Sequence, residues 1–146
     1  MDLFGKASNL VTSVKAFPHE ANMIVTIWNE LCPLLDTNQL SPDFPRTMVE
    51  MFPESSVREF VKVQRDSIQR FVVEIGVVMR IINMKMMKDN AADDVHTHDM
   101  TFIHIERACQ DVRTSLDPYK VVLDRIEHLL KQKSDGSGTL ASVFAC

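Results

Sequence analysis

Residues 57–86 have the sequence VREFVKVQRDSIQRFVVEIGVVMRIINMKM, and this stretch decides the fold class. Its mostly apolar residues recur at alternating steps of four and three, the spacing of one buried seam along an α-helix. We label the helix they form α4, the fourth predicted along the chain, over about residues 54–88. Its buried seam, the α4 seam, consists of Val57, Val61, Gln64, Ile68, Phe71, Ile75, Val78, Ile82 and Met86. With Pro53 and Glu54 at its start, the pattern predicts a helix over about residues 54–88.

A second seam of the same kind predicts a helix over about residues 99–133. We label this predicted helix α5, and its seam, the α5 seam, consists of Phe102, Ile105, Cys109, Val112, Leu116, Tyr119, Leu123, Ile126 and Leu130. Pro118 interrupts it, but the spacing continues unchanged, so we expect a kink near Ser115 and no break. The polar residues 88–99 between the seams predict an exposed loop. Two matched seams joined by one loop predict an antiparallel helical hairpin.

The N-terminal half predicts shorter helices. One apolar stripe extends from Leu3 to Phe17, with Asp2 available as a cap. A second helix is expected from Pro18 to about Cys32, because proline is tolerated in a first turn. The proline-rich connector that follows has room for one short helix, around residues 46–51.

These elements predict an all-α fold, an antiparallel helical bundle of about four main helices. The 146 residues, 45% hydrophobic and 25% charged, suit one globular domain. We place that domain over residues 1–133. Lys131 and Lys133 favour a helix end, and Gly136 and Gly138 predict that residues 134–146 form a flexible tail.

Composition excludes several classes of partner and compartment. The net charge of −4 contains no basic block, so nucleic acid is not an expected partner. The most apolar stretch, residues 71–87, carries Glu74, Arg80 and Lys85 and is too short to be a transmembrane segment. The first residues lack a signal-peptide pattern, and three widely spaced cysteines contain no Cys-x-x-Cys. We therefore expect a cytoplasmic protein.

The long helix over residues 71–87 is apolar on nearly every side. Such a helix must be buried on most sides, either under the N-terminal helices or by another chain. The second alternative makes it a docking surface, since methionine suits adaptable interfaces. The candidate partner-binding residues are Met79, Met84, Met86 and Met87, with Trp28 as an energetic hot spot if it is exposed.

Two further candidate sites, a metal site and a C-terminal binding motif, each have a simpler explanation that involves no function. Asp94, His96 and His98 offer metal-ligand types, but they lack a His-Glu-x-x-His spacing, so a solvated loop is the simpler explanation. At the C-terminus Val143, Phe144 and Cys146 form an apolar tip that suits strand addition to a partner's sheet. A tail without a role is the simpler reading of that tip.

These patterns favour a non-enzymatic protein–protein interaction module, an adaptor or complex subunit that self-associates through its Met-rich helix. No arrangement of nucleophile, base and oxyanion donors is recognisable, and no cofactor is implied. The alternatives are a bundle that binds a small apolar ligand or lipid in its interior, or a metal sensor or enzyme that uses the loop at His96 and His98.

Overall fold

The computed structural model describes residues 2–90 and 95–145, and it describes side chains for residues 2–88 and 101–134. Within these ranges the protein contains α-helices, two short 3-10 helices and no strand, which confirms the all-α class. The helices are α1 (Leu3–Ser13), α2 (Pro18–Leu31), α3 (Phe44–Met51), α4 (Glu54–Asn90) and α5 (Val95–Ala145). Their order is compatible with the predicted hairpin. No described helix has a stretch long and apolar enough to cross a membrane.

Short polar side chains and prolines explain where the early helices begin. The Gly5 N–H donates to Asp2 Oδ1 at 2.9 Å, so Asp2 caps α1 as predicted. Pro18 opens α2, where the missing N–H of proline has no consequence. The connector holds the 3-10 helices Cys32–Leu34 and Thr37–Leu40 and the single short helix α3.

Helices α4 and α5 extend beyond their predicted ends. α4 has 37 residues and ends at Asn90, and α5 has 51 residues and begins at Val95. Residues 88–90 and 95–99 of the predicted loop are therefore helical, because this polar stretch contains neither glycine nor proline to end a helix, and residues 91–94 lie outside the described residues.

The predicted end of the last helix near Lys133 is also wrong, because the backbone is helical to Ala145. Gly136 and Gly138 each weaken a helix by up to about 1 kcal/mol, but both retain the N–H donor that proline lacks. The predicted flexibility of residues 134–146 is not tested by this helix boundary and stays a prediction.

Pro118 lies inside α5 without breaking it, as predicted from the uninterrupted seam. Leu116 and Tyr119, on either side of it, are both buried. Their burial holds the helix together across a position that lacks one backbone hydrogen bond. One turn earlier, the Ser115 hydroxyl donates to the Asp111 carbonyl at 2.8 Å. The predicted kink stays a prediction.

The chain divides into two compact units. The first unit comprises Met1–Leu34 and Ser67–Asp117, and the second comprises Leu35–Asp66 and Pro118–Cys146. Every residue of the α4 seam is buried, and so is every residue of the α5 seam except Phe102, which is half-buried. Helices α1 and α2 contribute to the core of the first unit through the buried residues Leu3, Leu10, Ile24 and Leu31. The hydrophobic periodicity therefore identified the interior correctly.

Candidate functional site

An exposed apolar stripe on α4 is the strongest candidate site in the first unit. The exposed fractions are 53% for Val73, 41% for Val77, 69% for Met84 and 64% for Met87. With Arg80 between Val77 and Met84, the five positions continue steps of four and three along the helix. We call these five residues the α4 stripe.

The α4 stripe lies about 180° around the helix from the buried seam, because each residue advances about 100°. Ile75, Val78 and Ile82 on the seam are at most 1% exposed. The helix thus carries two apolar faces, and the chain's own core covers one of them. A surface helix normally needs a single apolar face, so the second requires an explanation.

Helix α2 occupies one flank of α4. Lys85 donates to Glu20 at the start of α2. Further along, Arg70 Nη2 lies 3.4 Å from Glu30 Oε2, and Arg70 Nε donates to Glu74 Oε1 at 2.9 Å. These polar contacts leave the stripe residues uncovered.

Helix α5 occupies the other flank of α4 in this unit. A Cβ built on Gly76 would lie 3.4 Å from Arg113 Nη2, an ordinary van der Waals distance. The Arg113 side chain on α5 therefore lies against Gly76. With α2 and α5 on its flanks and the seam inside, α4 leaves the stripe open to solvent.

The structure separates the four predicted methionine anchors into two pairs. Met84 and Met87 belong to the α4 stripe, whereas Met79 and Met86 are 9% and 3% exposed and lie in the core. Met79 and Met86 are thus wrong as surface anchors. The reason is helical geometry: Met86 continues the buried seam four residues after Ile82, and Met79 adjoins that seam.

Trp28, the predicted hot spot, is half-buried in an aromatic cluster of the first unit. Its ring packs edge-on against Phe4 at a centroid distance of 5.8 Å and against Phe71 at 5.9 Å. This geometry is favourable for aromatic pairs. Trp28 therefore joins α1, α2 and α4, and the condition set for its role as an exposed anchor is not met.

The ion pair between Glu20 and Lys85 is a feature that sequence reasoning missed. The Glu20 side chain is 1% exposed and that of Lys85 is 48% exposed, so a buried carboxylate meets a half-exposed ammonium. The hydrogen bond from Lys85 lowers the pKa of Glu20, while burial acts in the opposite direction. Lys85 lies beside Met84, so the pair fixes α4 against α2 next to the stripe.

The other predicted sites fall largely outside the described residues. Asp94, Cys146 and the side chains of His96, His98, Val143 and Phe144 lie outside them, although the backbone of both histidines belongs to α5. The backbone of residues 143 and 144 is also helical, which differs from the extended tip expected for strand addition. Among the described residues no group of three His, Cys, Asp or Glu is placed to hold a metal.

The two cysteines of the described region are free thiols. Cys109 is buried, and burial raises the pKa of its thiol above the ordinary value. Cys32 is half-buried at the end of α2, and neither forms a disulfide. A protonated, buried thiol is a poor nucleophile, so Cys109 is a core residue.

Comparison with known proteins finds no matching family model, no matching curated protein and no matching solved structure. The functional argument therefore depends on the geometry of this chain alone.

Proposed function

We propose that the protein is a non-enzymatic, cytoplasmic interaction module, an adaptor or complex subunit that accepts a helix along the α4 stripe and self-associates there. The single observation that carries the proposal is the second apolar face of α4, formed by Val73, Val77, Met84 and Met87. Helical partners recognise such faces through anchors at steps of three, four and seven residues. The unbranched methionines can adapt to the partner's side chains.

The strength of this contact follows from the side chains that remain exposed. Fully burying a valine or methionine contributes about 1.5–3 kcal/mol, and these four are roughly half-exposed, so the stripe offers on the order of 4 kcal/mol. Association itself costs about 4–15 kcal/mol. A self-associating pair buries two stripes, and their sum of about 8 kcal/mol exceeds only the lower end of this cost. Association through the stripe is therefore weak and reversible, and tight binding needs polar contacts around it.

Arg80 is the polar group that decides which partner fits. It lies in the middle of the stripe and makes no ion pair within the described part of the chain. A second copy packed antiparallel and centred on Arg80 would bring two guanidinium groups together, which weakens the contact. We therefore expect Arg80→Leu to strengthen self-association, whereas the same change would weaken the docking of an acidic helix.

The test is the solution mass by light scattering, measured from about 1 µM to about 1 mM, the range in which weak association of this kind is populated. The wild-type mass should rise with concentration. The double variant Met84→Asp/Met87→Asp should remain monomeric, because two carboxylates would have to be desolvated in the interface. Circular dichroism should show unchanged helicity, since both residues are exposed.

The matched control is Met51→Asp. Met51 is 73% exposed and belongs to the second unit, so it tests the same substitution outside the stripe. This variant should associate like the wild type. Self-association is refuted if the wild type stays monomeric over the whole range, and the stripe is refuted if the double variant associates as strongly as the wild type.

The alternative of an interior apolar ligand has less support in the first unit. A groove between α2 and α4 there, next to Phe71, has a volume of about 130 Å³. Pockets for small ligands occupy about 300–1,000 Å³. This groove is too small for such a ligand. A second groove of the first unit, along α5, has a volume of about 450 Å³, but mostly charged and polar side chains line it: Ile103, Glu106, Arg107, Gln110, Asp111 and Arg113. Neither groove suits an apolar ligand, so the interaction module remains our proposal.

A further inference from the structure

The second unit contains a larger groove between α4 and α5. Its volume is about 580 Å³, within the range of small-molecule sites. The residues that carry the argument are Arg58, Val61, Lys62, Arg65, Leu130 and Lys131. No residue of the α4 stripe takes part, so the inference is independent of the proposed function.

The floor of the groove is apolar. Val61 on α4 is 4% exposed and Leu130 on α5 is 3% exposed, and both belong to the seams of the two helices. Their side chains reach the groove but have little contact with water. A ligand would add almost no burial to these two side chains, but an apolar group that lies on them exchanges its own contact with water for contact with the protein.

The rim of the groove is basic, and its cations fall into two kinds. Arg58 is paired with Glu54 at 2.6 Å, and Arg65 is paired with Asp124 at 2.6 Å and with Glu127 at 2.9 Å. These two arginines have satisfied charges, and Asp124 and Glu127 raise the pKa of Arg65 further through hydrogen bonds.

Lys62 and Lys131 are the second kind. Both are exposed at the groove, one on each helix, and neither makes an ion pair in the described part of the chain. The lining residues themselves carry four cations, Arg58, Lys62, Arg65 and Lys131, against two carboxylates, Asp66 and Glu127. Ser134 adds a hydroxyl on the side of Lys131. The rim is therefore arranged to receive an anion that the chain does not supply.

We propose that this groove binds a small amphiphilic anion, a carboxylate or phosphate head group on a short apolar body. The head group lies between Lys62 and Lys131, within reach of the Ser134 hydroxyl, and the apolar body lies on Val61 and Leu130. The volume of about 580 Å³ fits a small molecule. The apolar floor favours an amphiphile over a bare inorganic anion.

Isothermal titration calorimetry with octyl phosphate and with octanoate, each below its micelle concentration, tests the proposal. At least one should bind at sub-millimolar concentration, and the comparison shows which head group is preferred. Inorganic phosphate and 1-octanol should each bind at least about tenfold more weakly, because each lacks one half of the contact. Octyl phosphate should bind at least about tenfold more tightly than butyl phosphate if the chain lies on the apolar floor.

A charge-reversal pair locates the site. Lys62→Glu/Lys131→Glu should weaken binding of the preferred ligand at least tenfold, while helicity stays unchanged because both lysines are exposed. The matched control, Lys15→Glu/Lys88→Glu, makes the same change in net charge at exposed lysines of the first unit and should bind like the wild type. Backbone amide shifts in NMR spectra should map the bound ligand to Val61, Leu130 and Ser134.

Each contrary result overturns the proposal. If neither amphiphile binds at millimolar concentration, the groove is not a binding site for amphiphilic anions. If 1-octanol binds as tightly as the preferred amphiphile, the lysines do not select the ligand. If inorganic phosphate binds as tightly, the apolar floor does not contribute to binding. Equal loss of affinity in the control pair assigns the effect to net charge, and amide shifts elsewhere place the ligand outside the groove.

Discussion

Glu20 shows at the scale of one residue how a buried charge is maintained in this protein. Its carboxylate is almost completely buried, and the ammonium of Lys85 is the partner that the structure provides. Oε2 of the same carboxylate has no hydrogen-bond partner in the described structure. A half-satisfied buried carboxylate is stable only while its cation remains, so the fold at this point depends on Lys85.

Removal of Lys85 should therefore destabilise the protein. For Lys85→Ala we expect a loss of about 1–3 kcal/mol in the free energy of unfolding, the cost of a buried polar group without its partner. Chemical denaturation at neutral pH measures it. The control is Glu54→Gln, which removes the exposed pair with Arg58 and should cost less than about 0.5 kcal/mol. If Lys85→Ala and Glu54→Gln lower the free energy of unfolding by the same amount, the burial of Glu20 does not strengthen its dependence on Lys85.

The same pair predicts how stability depends on pH. Because Lys85 lowers the pKa of Glu20 below its ordinary value of 4.5, the folded state binds this proton more weakly than the unfolded state. The stabilisation is therefore present above the ordinary pKa and is lost as pH falls through the folded pKa. Wild-type protein should lose more stability than Glu20→Gln between about pH 6 and pH 3. Parallel pH profiles for the two proteins would refute this assignment.

At the scale of the helix, α4 combines two apolar faces with one glycine. Gly76 costs up to about 1 kcal/mol relative to alanine inside a helix. A Cβ there would meet the flexible end of Arg113 at an ordinary contact distance. The glycine is thus not required by a backbone conformation, since no described glycine has a positive φ.

Gly76→Ala should accordingly stabilise the protein by about 0.5–1 kcal/mol through helix propensity. The measurement is the denaturation midpoint, with unchanged slope. Gly76→Leu is the useful comparison, because its larger side chain must displace the Arg113 guanidinium and should lose part of that gain. A clear loss of stability in the alanine variant would show that α4 and α5 approach more closely at this point than the contact distance indicates.

At the scale of the whole molecule, association through the stripe makes thermal stability depend on concentration. Only folded chains can form the dimer. Mass action therefore raises the melting temperature as the protein becomes more concentrated. We expect a higher melting temperature at about 500 µM than at about 5 µM for the wild type. Met84→Asp/Met87→Asp should abolish the difference, and Met51→Asp should retain it. A wild-type melting temperature that is independent of concentration would contradict self-association.

The interior was predictable from sequence because hydrophobic periodicity specifies angles around a helix axis. The α4 seam from Val57 to Met86 was correct at every position, and its phase already placed Met86 inside. The site was predictable only in part. Met84 lies opposite the seam and Met79 beside it, but α4 is apolar nearly all round. Only the positions of α2 and α5 show that the face opposite the seam stays exposed.

The sequence by itself determined that this chain is helical, where its seams lie and which residues fill its core, because these properties repeat locally every three or four residues. The tertiary structure alone decided that one apolar face of α4 stays open, that Glu20 meets Lys85 and that Lys62 and Lys131 share a groove. Those outcomes join residues that are 65 and 69 positions apart. Periodicity carries no information about such distances, since it describes the faces of a helix and not its neighbours.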